Sequence, residues 1–191
     1  MSWTALLPFK PAGERKTRLA GRLSREERAL LAETLFGHVT SVLGRSAGVS
    51  AVCLLARSRP ADWPGSWIED RGRGLNDELA AAREALGRGP LIVLHADLPL
   101  LDADDIAALI EAGRDGCAIA PDRHGSGTNA LAIGDGRAFD FRFGRDSFRL
   151  HREQDEGRIG VVTRPGLALD IDTPDDLDAA LAGGFVLPLP Q

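Results

Sequence analysis

The chain alternates between short apolar runs and stretches in which apolar residues recur at helical spacing. The periodic stretches predict helices after Ser24, from 76 to 86, from 102 to 113, from 146 to 156 and after Thr173. The apolar runs predict strands at residues 3–7, 51–56, 67–70, 91–95, 117–120, 129–133, 161–163 and 167–171. Strands separated by helices form crossovers that build a mostly parallel sheet with helices on both faces. We therefore predict an α/β, three-layer Rossmann-like fold in a single domain spanning residues 1–191.

Polar residues mark the starts of several predicted helices. Ser24 and Glu27 have the spacing of a capping box, and Thr173 precedes Pro174, a residue favoured in the first helical turn. Asn76 has two interpretations, because it either caps the helix that follows it or faces a nucleotide.

The composition is that of a globular protein, with 43% hydrophobic and 27% charged residues. A net charge of −5 argues against a nucleic-acid partner, since such a surface must neutralise phosphates. Cys53 and Cys117 lie in apolar runs without metal-binding spacing, which favours core positions in a reducing compartment. The sequence has neither a membrane-length apolar segment nor a recognisable export signal. We expect a cytoplasmic protein without a membrane partner, as a monomer or homodimer.

A basic loop follows the first predicted strand. It carries Lys10, Arg15, Lys16 and Arg18, and these include the only two lysines of the sequence. Ligands of such sheets bind outside the carboxyl ends of the strands, so these cations are placed to surround a polyphosphate. The loop contains neither a Walker A motif nor a GxGxxG turn, and a solvated basic loop is the alternative.

Acidic residues follow two later strands. Asp97 comes after the fourth predicted strand, where a carboxylate can hold a divalent metal whose other ligands are phosphate oxygens. A turn residue before Pro99 is the alternative. Asp170 and Asp172 alternate along the last predicted strand and so share one of its faces. Because an unpaired buried carboxylate is costly, a cation shared by all three acids is favoured.

Two glycine-containing segments are candidates for holding an anion. The loop at 121–129 offers backbone N–H groups in tight turns and hydroxyls such as that of Thr128. Gly144 and Ser147 open the predicted helix at 146–156, and a helix N-terminus attracts phosphate or carboxylate. A surface loop and a capped helix are the respective alternatives.

Six segments together resemble the guanylyltransferases of coenzyme F420 biosynthesis, the CofC/FbiD type within the MobA-like nucleotidyltransferases. The resemblance covers nearly the whole chain, and its central block is the most specific part. The glycine-rich loop typical of other MobA-like proteins is absent, which favours this branch. The segments are PFKP…KTRL (8–19), GLN (74–76), ADLPLL (96–101), APDRHGSGTNAL (120–131), FRFG…SF (141–148) and LDIDTPDDL (169–177).

The resemblance implies a nucleotidyltransferase fold and an enzyme that moves GMP from GTP to a three-carbon phosphorylated acid, releasing pyrophosphate. The acceptor it implies is phosphoenolpyruvate or 3-phospho-D-glycerate in bacterial members and 2-phospho-L-lactate in archaeal ones. The arginine-rich composition indicates a GC-rich bacterial genome and so favours the first two. The implied site residues are Lys10, Lys16, Arg18 and Asp97 for catalysis, Asp97, Asp170 and Asp172 for Mg²⁺, Gly74, Leu75 and Asn76 for the nucleotide, and Thr128, Gly144 and Ser147 for the acceptor.

Two alternative functions remain open at this point. A MobA-like or sugar-phosphate nucleotidyltransferase would use another acceptor and would need an open groove. A regulatory nucleotide-binding protein would bind GTP without releasing pyrophosphate and would not need three converging carboxylates.

Overall fold

The structure, a computed structural model, describes residues 1–9, 16–155 and 158–188. Its helices are α1 (Arg25–Arg45), α2 (Leu75–Leu86), α3 (Ala103–Gly113), α4 (Ser147–Arg152), α5 (Pro165–Ala168) and α6 (Pro174–Ala182). Its strands are β1 (Trp3–Pro8), β2 (Val49–Ala56), β3 (Ser66–Glu69), β4 (Leu91–Leu94), β5 (Cys117–Pro121), β6 (Thr128–Ile133) and β7 (Gly160–Val161). None of the helices in these residues combines the length and apolarity needed to cross a membrane.

The seven strands form one sheet in the order β3-β2-β1-β4-β6-β5-β7. Strands β1 to β4 are parallel, and β7 is parallel to β5. Strand β6 runs antiparallel to both of its neighbours, β4 and β5. The predicted mostly parallel sheet is confirmed. Because β6 is reversed, its first residues, Thr128 and Asn129, lie at the edge where the other strands have their carboxyl ends.

Side chains of the central strands alternate between two apolar layers. Ala5 and Leu7 pack in a cluster with α1 and α3, whereas Leu6 between them packs in a cluster with α2. Cys53 and Cys117 belong to the second cluster, where both are buried and free. Helices therefore cover both faces of the sheet, and the predicted three-layer arrangement is confirmed.

Two of the predicted helix caps are confirmed and one is wrong. Ser24 and Thr173 each form a capping box with the residue three positions later. Asn76 does not cap α2, which begins one residue earlier with Gly74 at its N-cap, at a φ of 103° that favours glycine. Asn76 is instead the second residue of the helix, and its amide is bonded to the backbone of Phe143.

The strand predicted at 167–171 is wrong. Residues Pro165–Ala168 form α5, and the chain then continues without regular structure to Asp172. Pro165 in the first turn favours a helix, and an apolar run of this length does not distinguish a buried strand from a buried helix. Asp170 and Asp172 therefore share no strand face, and they are brought together by an irregular segment.

Two other predicted boundaries differ from those observed. The helix predicted at 146–156 ends at Arg152 and is followed by a 3₁₀ turn at Glu153–Asp155, while residue 156 lies outside the described residues. The strand predicted at 161–163 occupies Gly160–Val161. In both places short elements pack beside β5, and tertiary contacts rather than local pattern set their ends.

A buried histidine connects β6 with α4. His151 is 0% exposed, and the rings of Phe139 and Phe143 lie 5.5 and 4.9 Å from its own ring. Its Nε2 accepts the N–H of Arg142 at 2.9 Å, and its Nδ1 lies 3.0 Å from the hydroxyl of Thr128. Burial lowers the pKa of His151 from 6.5 to about 4. The imidazole is therefore neutral at physiological pH.

The stability of the fold is expected to fall as the pH drops from 6.5 to about 4. In this window the unfolded chain binds a proton at His151 that the folded chain does not bind. The stabilisation that comes from the neutral, buried form of His151 is fully present above pH 6.5, and about 3 kcal/mol of it is lost when the pH reaches about 4. Urea unfolding of the wild type and of His151→Gln measures it at about pH 7 and about pH 4.5. The difference in unfolding free energy between the wild type and His151→Gln should shrink by about 2–3 kcal/mol at the lower pH. An unchanged difference would contradict the lowered pKa of His151.

Two glycine-to-alanine changes are expected to have opposite effects on stability. A Cβ at Gly166 in α5 would overlap Oδ2 of Asp105 and would lie 2.6 Å from the carbonyl oxygen of Leu100. Gly166→Ala should therefore destabilise the protein by about 2–4 kcal/mol through overpacking. The matched control is Gly37→Ala in α1, where a Cβ meets no atom within 4 Å. That variant should gain about 0.5–1 kcal/mol, since alanine favours the helix, and denaturant unfolding tests both.

Candidate functional site

Two acidic segments and the start of β6 meet at the carboxyl edge of the sheet. The chain leaves β4 and turns through Asp97, and the connection from α5 to α6 runs beside this turn. The N–H of Ile171 donates to the carbonyl oxygen of Asp97 at 3.2 Å, and the N–H of His95 donates to that of Asn129 at 3.0 Å. Main-chain hydrogen bonds therefore hold the two acidic segments and β6 in register.

Three carboxylates converge at this edge. One oxygen each from Asp97, Asp170 and Asp172 lies within 4.8 Å of the other two. Asp97 and Asp170 are half-buried, whereas Asp172 is exposed. Burial raises the pKa of Asp170, and the negative charge of Asp97 raises it further. The predicted convergence of these acids is observed, and the donor set of hard oxygens fits a divalent cation such as Mg²⁺.

Asn129 positions one of the three acids, a role that local sequence pattern does not indicate. The residue is 2% exposed, and its amide nitrogen lies 3.1 Å from Oδ1 of Asp170. The same nitrogen lies 3.1 Å from the carbonyl oxygens of Leu167 and Ala168. Asn129 thus attaches the end of α5 to the sheet. The available signal was a strongly polar residue beginning an otherwise apolar strand.

Lys16 lies against the acids. Its ammonium is 2.5 Å from Oδ2 of Asp97 and 3.1 Å from Oδ1 of Asp172, and it also donates to the carbonyl oxygen of Ile171. The side chain is only 4% exposed. Burial by itself lowers the pKa of Lys16, but the two carboxylates outweigh it and the net direction is upward. The ammonium therefore stays charged and offsets part of the negative charge of the cluster.

Of the other three cations of the basic loop, the structure describes only Arg18. Lys10 and Arg15 lie outside the described residues. Arg18 is exposed on the 3₁₀ turn Thr17–Leu19. Of the four cations predicted to surround a polyphosphate, the structure thus brings Lys16 to the acidic cluster and leaves Arg18 at the surface.

The anion cradle predicted at 121–129 is wrong for its central turn. The carboxylate of Asp122 accepts the N–H groups of His124, Ser126 and Gly127 at 3.1, 2.9 and 2.9 Å. These donors are therefore already satisfied by an anionic side chain of the same loop. An incoming anion would have to compete with that carboxylate and would be repelled by it.

The three residues predicted to hold the acceptor occupy different environments. Thr128 and Ser147 are 2% and 1% exposed, whereas Gly144 is exposed. Gly144 has a φ of 119°, which an L-residue rarely adopts, and its carbonyl oxygen accepts the N–H of Ser147 at 3.2 Å. The hydroxyl of Thr128 faces His151. This side of the edge is therefore a tightly packed turn with a few polar atoms.

The turn before α2 is joined to the same region by Asn76. Its amide donates to the carbonyl oxygen of Phe143 at 3.1 Å and accepts the N–H of Phe143 at 2.8 Å. Since one side-chain amide satisfies both backbone groups of a single residue, Asn76 has a structural role here. Gly74 and Leu75 line a small cavity at the ends of β1 and β2.

A buried acid shapes that cavity. Glu78 accepts the backbone N–H groups of Arg71 and Arg73 at 2.9 and 3.0 Å and pairs with the guanidinium of Arg73 at 2.7 Å. The hydrogen bonds from the Arg73 side chain lower the pKa of Glu78 to about 2. Glu78 and Leu75 line the cavity together with Phe9 from the end of β1. Glu78 was not identified from the sequence, because a charged residue in the first turn of a helix is common at the surface.

Comparison with known proteins gives one family. Residues 3–184 match the model of the family described as "Guanylyl transferase CofC like". A phosphoenolpyruvate guanylyltransferase of Sphaerobacter thermophilus is 40% identical over 196 residues, covering 96% of this chain and 94% of the relative. A 2-phospho-L-lactate guanylyltransferase of Methanosphaerula palustris is 33% identical, covering 96% of this chain and 86% of the relative.

A solved structure supports the same fold. A putative nucleotide-diphospho-sugar transferase of Desulfovibrio desulfuricans superposes with a TM-score of 0.74 at 17% identity, covering 94% of this chain and 86% of the other. At that identity the likeness concerns the fold alone, and it agrees with the nucleotidyltransferase fold that the sequence predicts. The family match and the two relatives go further, and together they establish that this chain belongs to the CofC-like guanylyl transferase family.

Proposed function

We propose that this protein transfers GMP from GTP to the phosphate group of phosphoenolpyruvate and releases pyrophosphate, in coenzyme F420 biosynthesis. The guanylyl transferase family and the name of the 40% identical relative support this proposal. The competing acceptors are 3-phospho-D-glycerate and 2-phospho-L-lactate, and the second is named for a relative with 33% identity. We further propose a cytoplasmic location, because two buried free cysteines suit a reducing compartment, and we retain a monomer or homodimer as the expected assembly.

The observation that carries the proposal is the convergence of Asp97, Asp170 and Asp172 beside the end of β4 and the start of β6. Lys16 offsets one of the three negative charges, and the net negative charge that is left costs electrostatic free energy unless a further cation accompanies it. A binding protein without catalysis has no need for such an arrangement. A transferase that joins two anionic phosphates does need one, because their mutual repulsion dominates the barrier.

We propose Mg²⁺ as the cation, held by Asp97, Asp170 and Asp172. The fit rests on the donor set, since three carboxylates supply the oxygens that Mg²⁺ prefers and leave further positions for phosphate oxygens. When bound, the ion neutralises charge on the donor and acceptor phosphates and aligns them.

The residues of the chain would contribute mainly by positioning. An oxygen of the acceptor phosphate attacks the α-phosphorus of GTP while the bond from that phosphorus to the pyrophosphate oxygen breaks. The acceptor phosphate is already ionised at neutral pH, so no side chain has to remove a proton. Lys16 keeps a positive charge beside Asp97 and Asp172, and Asn129 fixes Asp170. We propose that the Gly74–Asn76 turn contacts the nucleotide through its backbone, since the Asn76 amide is engaged elsewhere.

The acceptor is tested by giving the purified protein GTP and Mg²⁺ with each of the three acids in turn and measuring pyrophosphate. Phosphoenolpyruvate should support the fastest release, and EDTA should abolish it. No release above the acceptor-free control in any arm would overturn the proposal. GTP binding without release would then favour a regulatory protein, and release with a sugar phosphate instead would favour a different nucleotidyltransferase.

Asp97→Asn is expected to lower turnover by at least about 100-fold, because it removes one charge from the metal-binding cluster. The circular dichroism spectrum should be unchanged, since asparagine has the same shape. The matched control is Asp178→Asn, which removes an exposed carboxylate paired with Arg22 at 2.9 Å. The control should keep turnover within about twofold of the wild type. Turnover close to that of the wild type in Asp97→Asn would refute the metal role.

A further inference from the structure

We infer that His151 is a positioning residue that directs the hydroxyl hydrogen of Thr128 toward an anionic oxygen of the acceptor. The inference rests on the proposed function for the identity of the ligand, but the arrangement itself follows from two hydrogen bonds. Among the described residues, His151 makes its side-chain hydrogen bonds to Thr128 and to the backbone of Arg142, and it acts on the hydroxyl through the first of these.

The backbone fixes which nitrogen of His151 carries the proton. The N–H of Arg142 donates to Nε2 at 2.9 Å, so this nitrogen must present a lone pair. A proton on Nε2 would place two donors against each other. A neutral imidazole has one proton, and it must therefore be on Nδ1.

The protonated Nδ1 in turn fixes the Thr128 hydroxyl. Nδ1 lies 3.0 Å from Oγ1 of Thr128 and donates to it, so the hydroxyl oxygen is the acceptor in this bond. The hydrogen of the hydroxyl must then point away from His151. Within the described residues, His151 is the one group recorded in a side-chain hydrogen bond with this hydroxyl.

Burial makes that unused hydrogen significant. Thr128 is 2% exposed and His151 is 0% exposed, so bulk water satisfies neither side chain well. A buried donor without an acceptor is unfavourable, and a carboxylate or phosphate oxygen at this edge would satisfy it. The rings of Phe139 and Phe143 hold the imidazole plane in place and exclude water from it. Burial also lowers the pKa of His151 to about 4, which keeps the donor arrangement unchanged across the physiological range.

The location of Thr128 fits an acceptor contact. It is the first residue of β6, and the next residue, Asn129, holds Asp170. Side chains of consecutive strand residues point to opposite faces. An anion bound just beyond the start of β6, past the edge of the sheet, would therefore lie between the acidic cluster and the Thr128 hydroxyl.

The test compares the Michaelis constants for acceptor and for GTP in three variants. His151→Gln retains an acceptor near the position of Nε2 but no donor near Nδ1, and Thr128→Val removes the hydroxyl with little change of shape. Each of these two variants should raise the acceptor KM by about tenfold, because it loses one hydrogen bond to an anion. The GTP KM should change by less than about twofold. The double variant should be no worse than either single one, because both remove the same interaction. Equal rises for both substrates, or additive losses in the double variant, would overturn the inference.

Matched controls separate positioning from general damage. Thr40→Val removes a hydroxyl that is bonded within α1, and His38→Gln removes an imidazole that contacts the carbonyl oxygen of Leu101. Both should leave the two Michaelis constants unchanged. His151→Asn places an amide N–H near the position of Nδ1 and should keep the acceptor KM closer to wild type than His151→Gln does. The opposite ranking would count against the inference.

A second measurement does not depend on catalysis. ¹⁵N NMR of histidine-labelled protein, with the His151 signals assigned by their loss in His151→Gln, should find Nδ1 protonated and Nε2 unprotonated. The opposite tautomer would overturn the inference even if the enzyme were active. Absence of pyrophosphate release from the wild type would instead refute the proposed function, so the two failures are distinguishable.

Discussion

Repulsion among three neighbouring carboxylates is the constraint around which the carboxyl edge of this sheet is built. Asp97, Asp170 and Asp172 approach within 4.8 Å, and their charges favour separation. Two neighbours from other parts of the chain hold them: the ammonium of Lys16 bridges Asp97 and Asp172, and the amide of Asn129 binds Asp170. The edge therefore presents three carboxylates in a fixed arrangement, and the fold has already met most of the electrostatic cost of bringing them together.

The opposite flank of the same edge is held by neutral groups. His151 binds the backbone of Arg142, and Asn76 binds both backbone groups of the next residue, Phe143. These hydrogen bonds come from α4 and α2, so they fix the backbone at Arg142 and Phe143 from two directions. A site that relies on positioning rather than on a reactive side chain gains from such rigidity, because the barrier depends on the alignment of the reacting groups.

Much of this arrangement could be predicted from the sequence, and the omissions have a common physical origin. Alternating apolar runs predicted all seven strands within about two residues, together with one strand at 167–171 that is absent, and the rule that ligands bind beyond strand ends predicted that Asp97 would meet the later acids. Local pattern gave the wrong element at α5, because a buried apolar run fits either a strand or a helix. It also missed the roles of Asn129, Asp122 and His151, because each depends on partners that only the folded chain supplies. Hydrogen bonding between distant or packed segments leaves little trace in residue spacing.

The reversed direction of β6 makes the two halves of the site mutually dependent. Thr128 and Asn129 are adjacent, and strand geometry sends one toward His151 and the other toward Asp170. A slip of one residue in the pairing of β6 would exchange these two side chains between faces and would disturb both halves at once. The pairing register of β6 therefore has to be specified strictly, since one misalignment of this strand would remove both halves of the site.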